Sequence, residues 1–148
     1  MNEIFTEFYK NKIFITTICA WLIAQTIKVL IGIFREKKFD FRWFVGTGGM
    51  PSSHAAGAAC LTTAVGIDCG FDSVYFAIAA AFALVVMFDA QGVRRATGRQ
   101  ARVLNKITED IHWKGRIKEE QLRELIGHTP VEVIMGFLLG VVIAIIAG

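Results

Sequence analysis

The strongest constraint on the fold of this 148-residue chain is where its charges are placed. They concentrate at 35–42 and 89–124 and leave the apolar residues in blocks. Residues 13–34 form an apolar run broken only by Gln25 and Lys28, long enough to cross a bilayer as a helix. A second block, 52–70, is rich in Ala and Gly and reaches membrane length only if its helix begins near Ser52 and runs to about Gly70. After a tight turn at 68–73, a third block covers 74–88, and a last one covers 130–147. With 54% hydrophobic residues the chain is too apolar for an ordinary soluble domain. The expectation is all-α: one integral membrane domain over 1–148, a bundle of about four transmembrane helices. Small residues should place the second span centrally, and Gly136-x-x-x-Gly140 offers a close-packing face to a neighbouring helix or a second copy of the chain.

The polar stretch 89–128 is long for a connection and should carry structure of its own. Val93, Ala96, Val103, Leu104, Ile107 and Ile111, then Ile117, Leu122, Leu125 and Ile126 after Gly115, suggest two amphipathic helices. They would lie on the membrane surface or pack on the bundle as a solvated hairpin. Four spans put this insertion and the 35–53 loop on one side. Lys and Arg number nine in 89–128 and four in 35–53, against none in the 68–73 turn, so that side is expected to face the cytoplasm across the plasma membrane. Basic residues confined to two loops suit lipid headgroups or phosphate, and no nucleic-acid motif is present. Cys19, Cys60 and Cys69 show no metal or redox spacing and read as packing residues, with no disulfide framework expected. Glu3 and Glu7 before the first span, with no small-residue cleavage pattern, argue against a removable signal peptide.

The topology gathers the unusual polar residues at one membrane face. Thr47-Gly48-Gly49-Met50-Pro51-Ser52-Ser53-His54 joins a glycine-rich turn, two hydroxyls and an imidazole to a helix start. Gly46, Gly48 and Gly49 permit turn conformations closed to other residues, and Pro51 is expected in the first helical turn, where no N–H is needed. Free N–H groups and the positive end of the helix dipole then favour an anion beside Ser52, Ser53 and His54. A capped helix start with a buried histidine is the plainer reading of the same residues. Lys28 lies roughly 9 Å of helix rise from the end of the first span, either lining a site or snorkelling to the interface. Asp89, Arg94 and Arg95 follow the third span, and His128 and Glu132 open the fourth. Glu132 can serve a site or simply the helix dipole.

His128 and Glu132 are four residues apart and share a helix face. A carboxylate on one imidazole nitrogen fixes the tautomer and leaves the other nitrogen as base or nucleophile. Two histidines at opposed helix starts, one oriented by a carboxylate and both among cations, suit phosphoryl transfer. One imidazole attacks phosphorus, the other protonates the leaving oxygen, and cations with backbone N–H groups neutralise the remaining oxygens. No metal or cofactor is then required. An alternative takes His54, Asp89, His128 and Glu132 as metal ligands of a membrane hydrolase. Adjacent Ser53 and His54 make a poor hydrolase dyad, because neighbouring helical side chains diverge.

These residues resemble the type 2 phosphatidic acid phosphatase superfamily, which shares its fold with vanadium haloperoxidases, and most closely its small divergent membrane branch. Lys28-x6-Arg35 resembles the first superfamily motif, K-x6-RP, without its proline. Pro51-Ser52-Ser53-His54 resembles PSGH with Ser for Gly, and His128-x3-Glu132 resembles the end of SR-x5-H-x3-D with Glu for Asp. The blocks GGMPSSH at 48–54, FDAQGVRR at 88–95 and LIGHTPVEV at 125–133 resemble the divergent branch, and together they cover nearly the whole chain.

The resemblance implies that His128 is the nucleophile that becomes phosphohistidine, Glu132 its orienting carboxylate and His54 the acid for the leaving group. It implies that Lys28, Ser52, Ser53 and Gly49 hold the phosphate, with Arg35 a further contact. The third-motif arginine falls on Leu122, with Arg123 one residue off and about 100° around a helix. Arg94 and Arg95, with Asp89 positioning one of them, are the expected substitutes. The expected activity is a metal-independent phosphatase acting on a lipid phosphate or pyrophosphate. A non-catalytic protein that binds or transports lipid phosphates is the alternative on the same frame. Larger relatives commonly have six spans, which makes a homodimer the expected way to complete a substrate groove.

Overall fold

The computed structural model describes residues 6–7, 9–37, 49–92, 100–101, 103–104 and 128–148. Those residues build four α-helices: α1 (Lys12–Glu36), α2 (Ser53–Cys69), α3 (Val74–Gln91) and α4 (Pro130–Ala147). Each begins on a side chain able to accept from the first turn. Asn11 accepts from the Phe14 N–H at 3.0 Å, Ser52 from Ala55 at 3.4 Å, Ser73 from Phe76 at 3.1 Å and Thr129 from Glu132 at 3.4 Å. The stops are equally local. Lys37 turns left-handed (φ 51°) and returns its N–H to the Ile33 carbonyl, and Gly70 (φ 92°) returns its own to Gly66. The expectation for Pro51 is corrected here. It precedes α2 after a cis Met50–Pro51 bond, because Ser52, whose hydroxyl can accept, takes the N-cap position.

Three of the helices, α1, α3 and α4, are long and apolar enough to cross a membrane. The fourth, α2, has 17 residues, about 26 Å of rise. It needs no lipid-facing apolar surface of its own, because it packs against all three others, most extensively α4. Its buried face is Ser53, Ala55, Ala56, Ala58, Ala59, Cys60, Val65 and Gly66. The core is built from small side chains throughout, with Ala20, Ala24, Ala79, Ala83, Ala90 and Ala144 also buried. Large ones point outward: Phe34, Phe82, Val85, Phe88 and Ile146 are all more than half exposed. In water that arrangement would forfeit the burial that drives folding. In lipid it is the expected one, since small residues let backbones approach and bulky ones meet acyl chains.

The closest approach is between α2 and α4. A Cβ on Gly136 would collide with the Ser52 carbonyl oxygen, and one on Gly140 with that of Ala56. The two glycines, four apart, meet two carbonyls four apart, so this motif is spent on packing inside the chain. Hydrogen bonds tie the remaining neighbours: Cys60 Sγ donates to Thr16 O of α1 at 3.6 Å, and the Thr62 hydroxyl lies 3.0 Å from Ala79 O of α3.

The helices alternate in direction. The C-terminal ends of α1 and α3 and the N-terminal ends of α2 and α4 share one end of the bundle, where the Ser52 N–H donates to Glu132 O at 2.9 Å and His128 N–H to Ala90 O at 3.2 Å. At the other end Lys12 Nζ donates to Gly148 O at 3.2 Å.

Replacing Gly136 or Gly140 with alanine forces α2 and α4 apart. Each variant should lose about 1–3 kcal/mol, as overpacked cores do. Thermal unfolding in detergent measures it. Gly57→Ala is the control: its Cβ would meet only the Trp21 Cβ, at 3.9 Å, and should leave the melting temperature unchanged or raise it.

Candidate functional site

Three helices contribute to a polar cluster at the shared end. From α1 comes Lys28, eight residues before the helix ends at Glu36, about 12 Å of rise and deeper than its spacing alone implies. It is buried at 8% exposure, which is not the disposition of a snorkelling lysine. Gly49 lies directly over its stem: a Cβ there would be 3.1 Å from both Lys28 Cγ and Cδ. With φ of +90°, Gly49 also holds a conformation that L side chains rarely adopt. The turn thus closes over Lys28 because residue 49 has no side chain.

Ser52 and Ser53 are buried at the start of α2, and His54 is half-buried beside them. Ser52 Oγ accepts from the Ala55 N–H and so caps the helix, and a hydroxyl that accepts in this way keeps its own proton to donate. The Ser52 backbone N–H is committed to Glu132 O, so capping and the tie to α4 use one residue.

His128, 2% exposed, sits just before α4, its backbone N–H held by Ala90 O of α3. Its Nδ1 lies 3.0 Å from Glu132 Oε2. Since a carboxylate only accepts, the proton of a neutral imidazole belongs on Nδ1, which leaves the Nε2 lone pair for chemistry. Glu132 is held in turn: Oε2 also accepts from the Thr129 N–H at 3.1 Å, and the Glu132 N–H donates to Thr129 Oγ1, a complete capping box. The His54 and His128 rings have centroids 6.2 Å apart, tilted by 58°.

The structure therefore gathers His54, His128, Glu132, Lys28, Gly49, Ser52 and Ser53. Asp89 is half-buried in the last turn of α3, next to the Ala90 that holds His128. Arg35 lies seven residues past Lys28, on nearly the same face of α1, but is exposed. Arg94, Arg95, Gly46, Gly48 and Leu122 with Arg123 lie outside the described residues, as does most of the 89–128 insertion. Among the described residues no group of three or more His, Cys, Asp or Glu side chains is placed to hold a metal. Sequence spacing pointed to the His128–Glu132 pair and missed Thr129, although Thr129-Pro130-Val131-Glu132 before an apolar run is the signature of a capping box.

The Divergent PAP2 family matches residues 9–143, and the chain belongs to that family. It is 40% identical over 151 residues to the "Uncharacterized membrane protein YuiD" of Bacillus subtilis (strain 168), an alignment covering 95% of this chain and 96% of that one. No solved structure matches it. The chain is accordingly a PAP2-like membrane protein.

Gly49→Ala tests whether the turn positions Lys28. The added Cβ meets the lysine stem and the residue must hold φ +90°, a strain of about 1–3 kcal/mol. Thermal unfolding in detergent should show that loss as a lowered melting temperature.

Proposed function

We propose that this protein is a metal-independent membrane phosphatase that removes phosphate from a lipid phosphate or pyrophosphate through a phosphohistidine. The observation that carries the reading is the pair of imidazoles 6.2 Å apart, one held on Nδ1 by a carboxylate at 3.0 Å. Rings at that separation can both reach one bound phosphate, one at phosphorus and the other at its leaving oxygen.

His128 Nε2 attacks phosphorus and the bond to the leaving oxygen breaks, with protonated His54 giving that oxygen its proton. His128 becomes cationic at phosphorus transfer, and Glu132 stabilises that charge through Nδ1–H. Water then attacks phosphorus while neutral His54 takes its proton; the N–P bond breaks, its electron pair returns to His128 Nε2, and inorganic phosphate leaves. Lys28, Ser52, Ser53 and the Gly49 backbone neutralise the phosphoryl oxygens. Arg94 and Arg95, one of them positioned by Asp89, are the substitutes for the guanidinium that the family pattern places before the histidine, and Arg35 adds charge at the mouth.

Glycerophospholipid and polyprenyl phosphates both suit an apolar bundle with a cationic end. The charge of the connecting segments supports a cytoplasmic active face in the plasma membrane.

The test is phosphate release by detergent-purified protein from a panel of lipid phosphates and pyrophosphates. Release should survive EDTA and fall with orthovanadate. It should disappear in His128→Ala and drop by roughly 10²–10⁴-fold in His54→Ala, the range for a lost general acid. Folded protein that binds these lipids and releases nothing overturns the enzyme in favour of a lipid-phosphate binding or transport protein. Release lost with EDTA and untouched by vanadate overturns it in favour of a metal-dependent hydrolase.

A further inference from the structure

We infer that Thr129 is a positioning residue: its hydroxyl, by capping α4, fixes the carboxylate of Glu132 and through it the tautomer of His128. The role in turnover rests on the phosphohistidine reading above; the control of the tautomer does not.

Glu132 has three rotatable side-chain bonds and a side chain 20% exposed, so nothing in its burial alone forces the carboxylate toward His128. What holds it is a closed ring of contacts. Thr129 Oγ1 accepts the Glu132 N–H at 3.4 Å and the Thr129 N–H donates to Glu132 Oε2 at 3.1 Å. That same oxygen receives His128 Nδ1 at 3.0 Å. One carboxylate oxygen therefore serves the helix cap and the imidazole together. Pro130 at the first helical position lacks the N–H that would compete and has its φ preset for a helix.

His128 has its own backbone N–H on Ala90 O, so its backbone is held by α3 and does not move with the first turn of α4. Removing the hydroxyl leaves the Glu132 N–H without its cap, and the first turn opens to other conformations. The Nδ1 contact is then populated only part of the time. The neutral ring is released toward the Nε2–H form, which cannot attack phosphorus.

The experiment is ¹⁵N NMR of histidine-labelled protein in detergent, with His128 assigned by loss of its signal in His128→Ala, alongside steady-state kinetics on the best substrate of the panel. The variants are Thr129→Ser, which keeps the hydroxyl, Thr129→Val, which keeps the shape, and Thr129→Gly. Glycine is tolerated at N-caps nearly as well as threonine, so this last variant removes the hydroxyl with the least disturbance of folding.

Wild type and Thr129→Ser should show His128 with the proton on Nδ1. Thr129→Val and Thr129→Gly should raise the Nε2–H population severalfold and lower kcat by roughly tenfold, with KM within about twofold, as for a group that acts only in the transition state. Val and Gly variants with the wild-type tautomer overturn the inference, whatever their kinetics. A tautomer shift in protein that releases no phosphate at all, wild type included, supports the positioning and counts against the enzymatic reading alone.

Discussion

The contact between α2 and α4 is the constraint on which the site depends. Gly136 and Gly140 let the two backbones meet at the carbonyls of Ser52 and Ala56. Ser52 is the N-cap of α2 and donates its N–H to the carbonyl of Glu132, one turn before Gly136. Helix approach, cap and cross-link therefore fall within a single turn of each helix, and His54 and His128 follow from them. Were the helices separated by ordinary side chains, the two imidazoles would part by the same margin. At the distances of proton and phosphoryl transfer an ångström matters.

The polar cluster is costly where it lies. Lys28, Ser52, Ser53 and His128 are buried at the end of a bundle whose remaining core is mostly small and apolar. Polar groups taken out of water require partners, and this structure supplies them from neighbouring helices. Glu132 answers the His128 ring, and Ala90 takes the His128 N–H.

Much of the fold was legible in the sequence because apolar blocks alternate with charged loops and the second block is rich in Ala and Gly, so the all-helical fold with a central second helix followed directly. The caps Asn11, Ser73 and Thr129, each able to accept from the following turn, were not used. Three features were less legible. Pro51 suits a first helical turn as a residue type, but Ser52 competes for the cap and wins by its hydroxyl. Gly136-x-x-x-Gly140 announces close packing without naming a partner, which only the register against Ser52 and Ala56 decides. The depth of Lys28 depends on where α1 ends, and Lys37 in a left-handed conformation carries the helix past the apolar run to Glu36.

The glutamate at 132, where the superfamily pattern has aspartate, follows from the same geometry. To serve as the third residue of a capping box, a carboxylate must reach back to the N-cap N–H. Glutamate and glutamine do so from this position. An aspartate, one methylene shorter, would have to choose between the imidazole and the cap. With glutamate, Oε2 reaches both Thr129 N–H and His128 Nδ1. The departure from the pattern therefore does not weaken the oriented histidine. It joins the His128 ring to the helix start through one carboxylate oxygen, so the first turn of α4 is at once the end of the bundle and the contact that holds the imidazole.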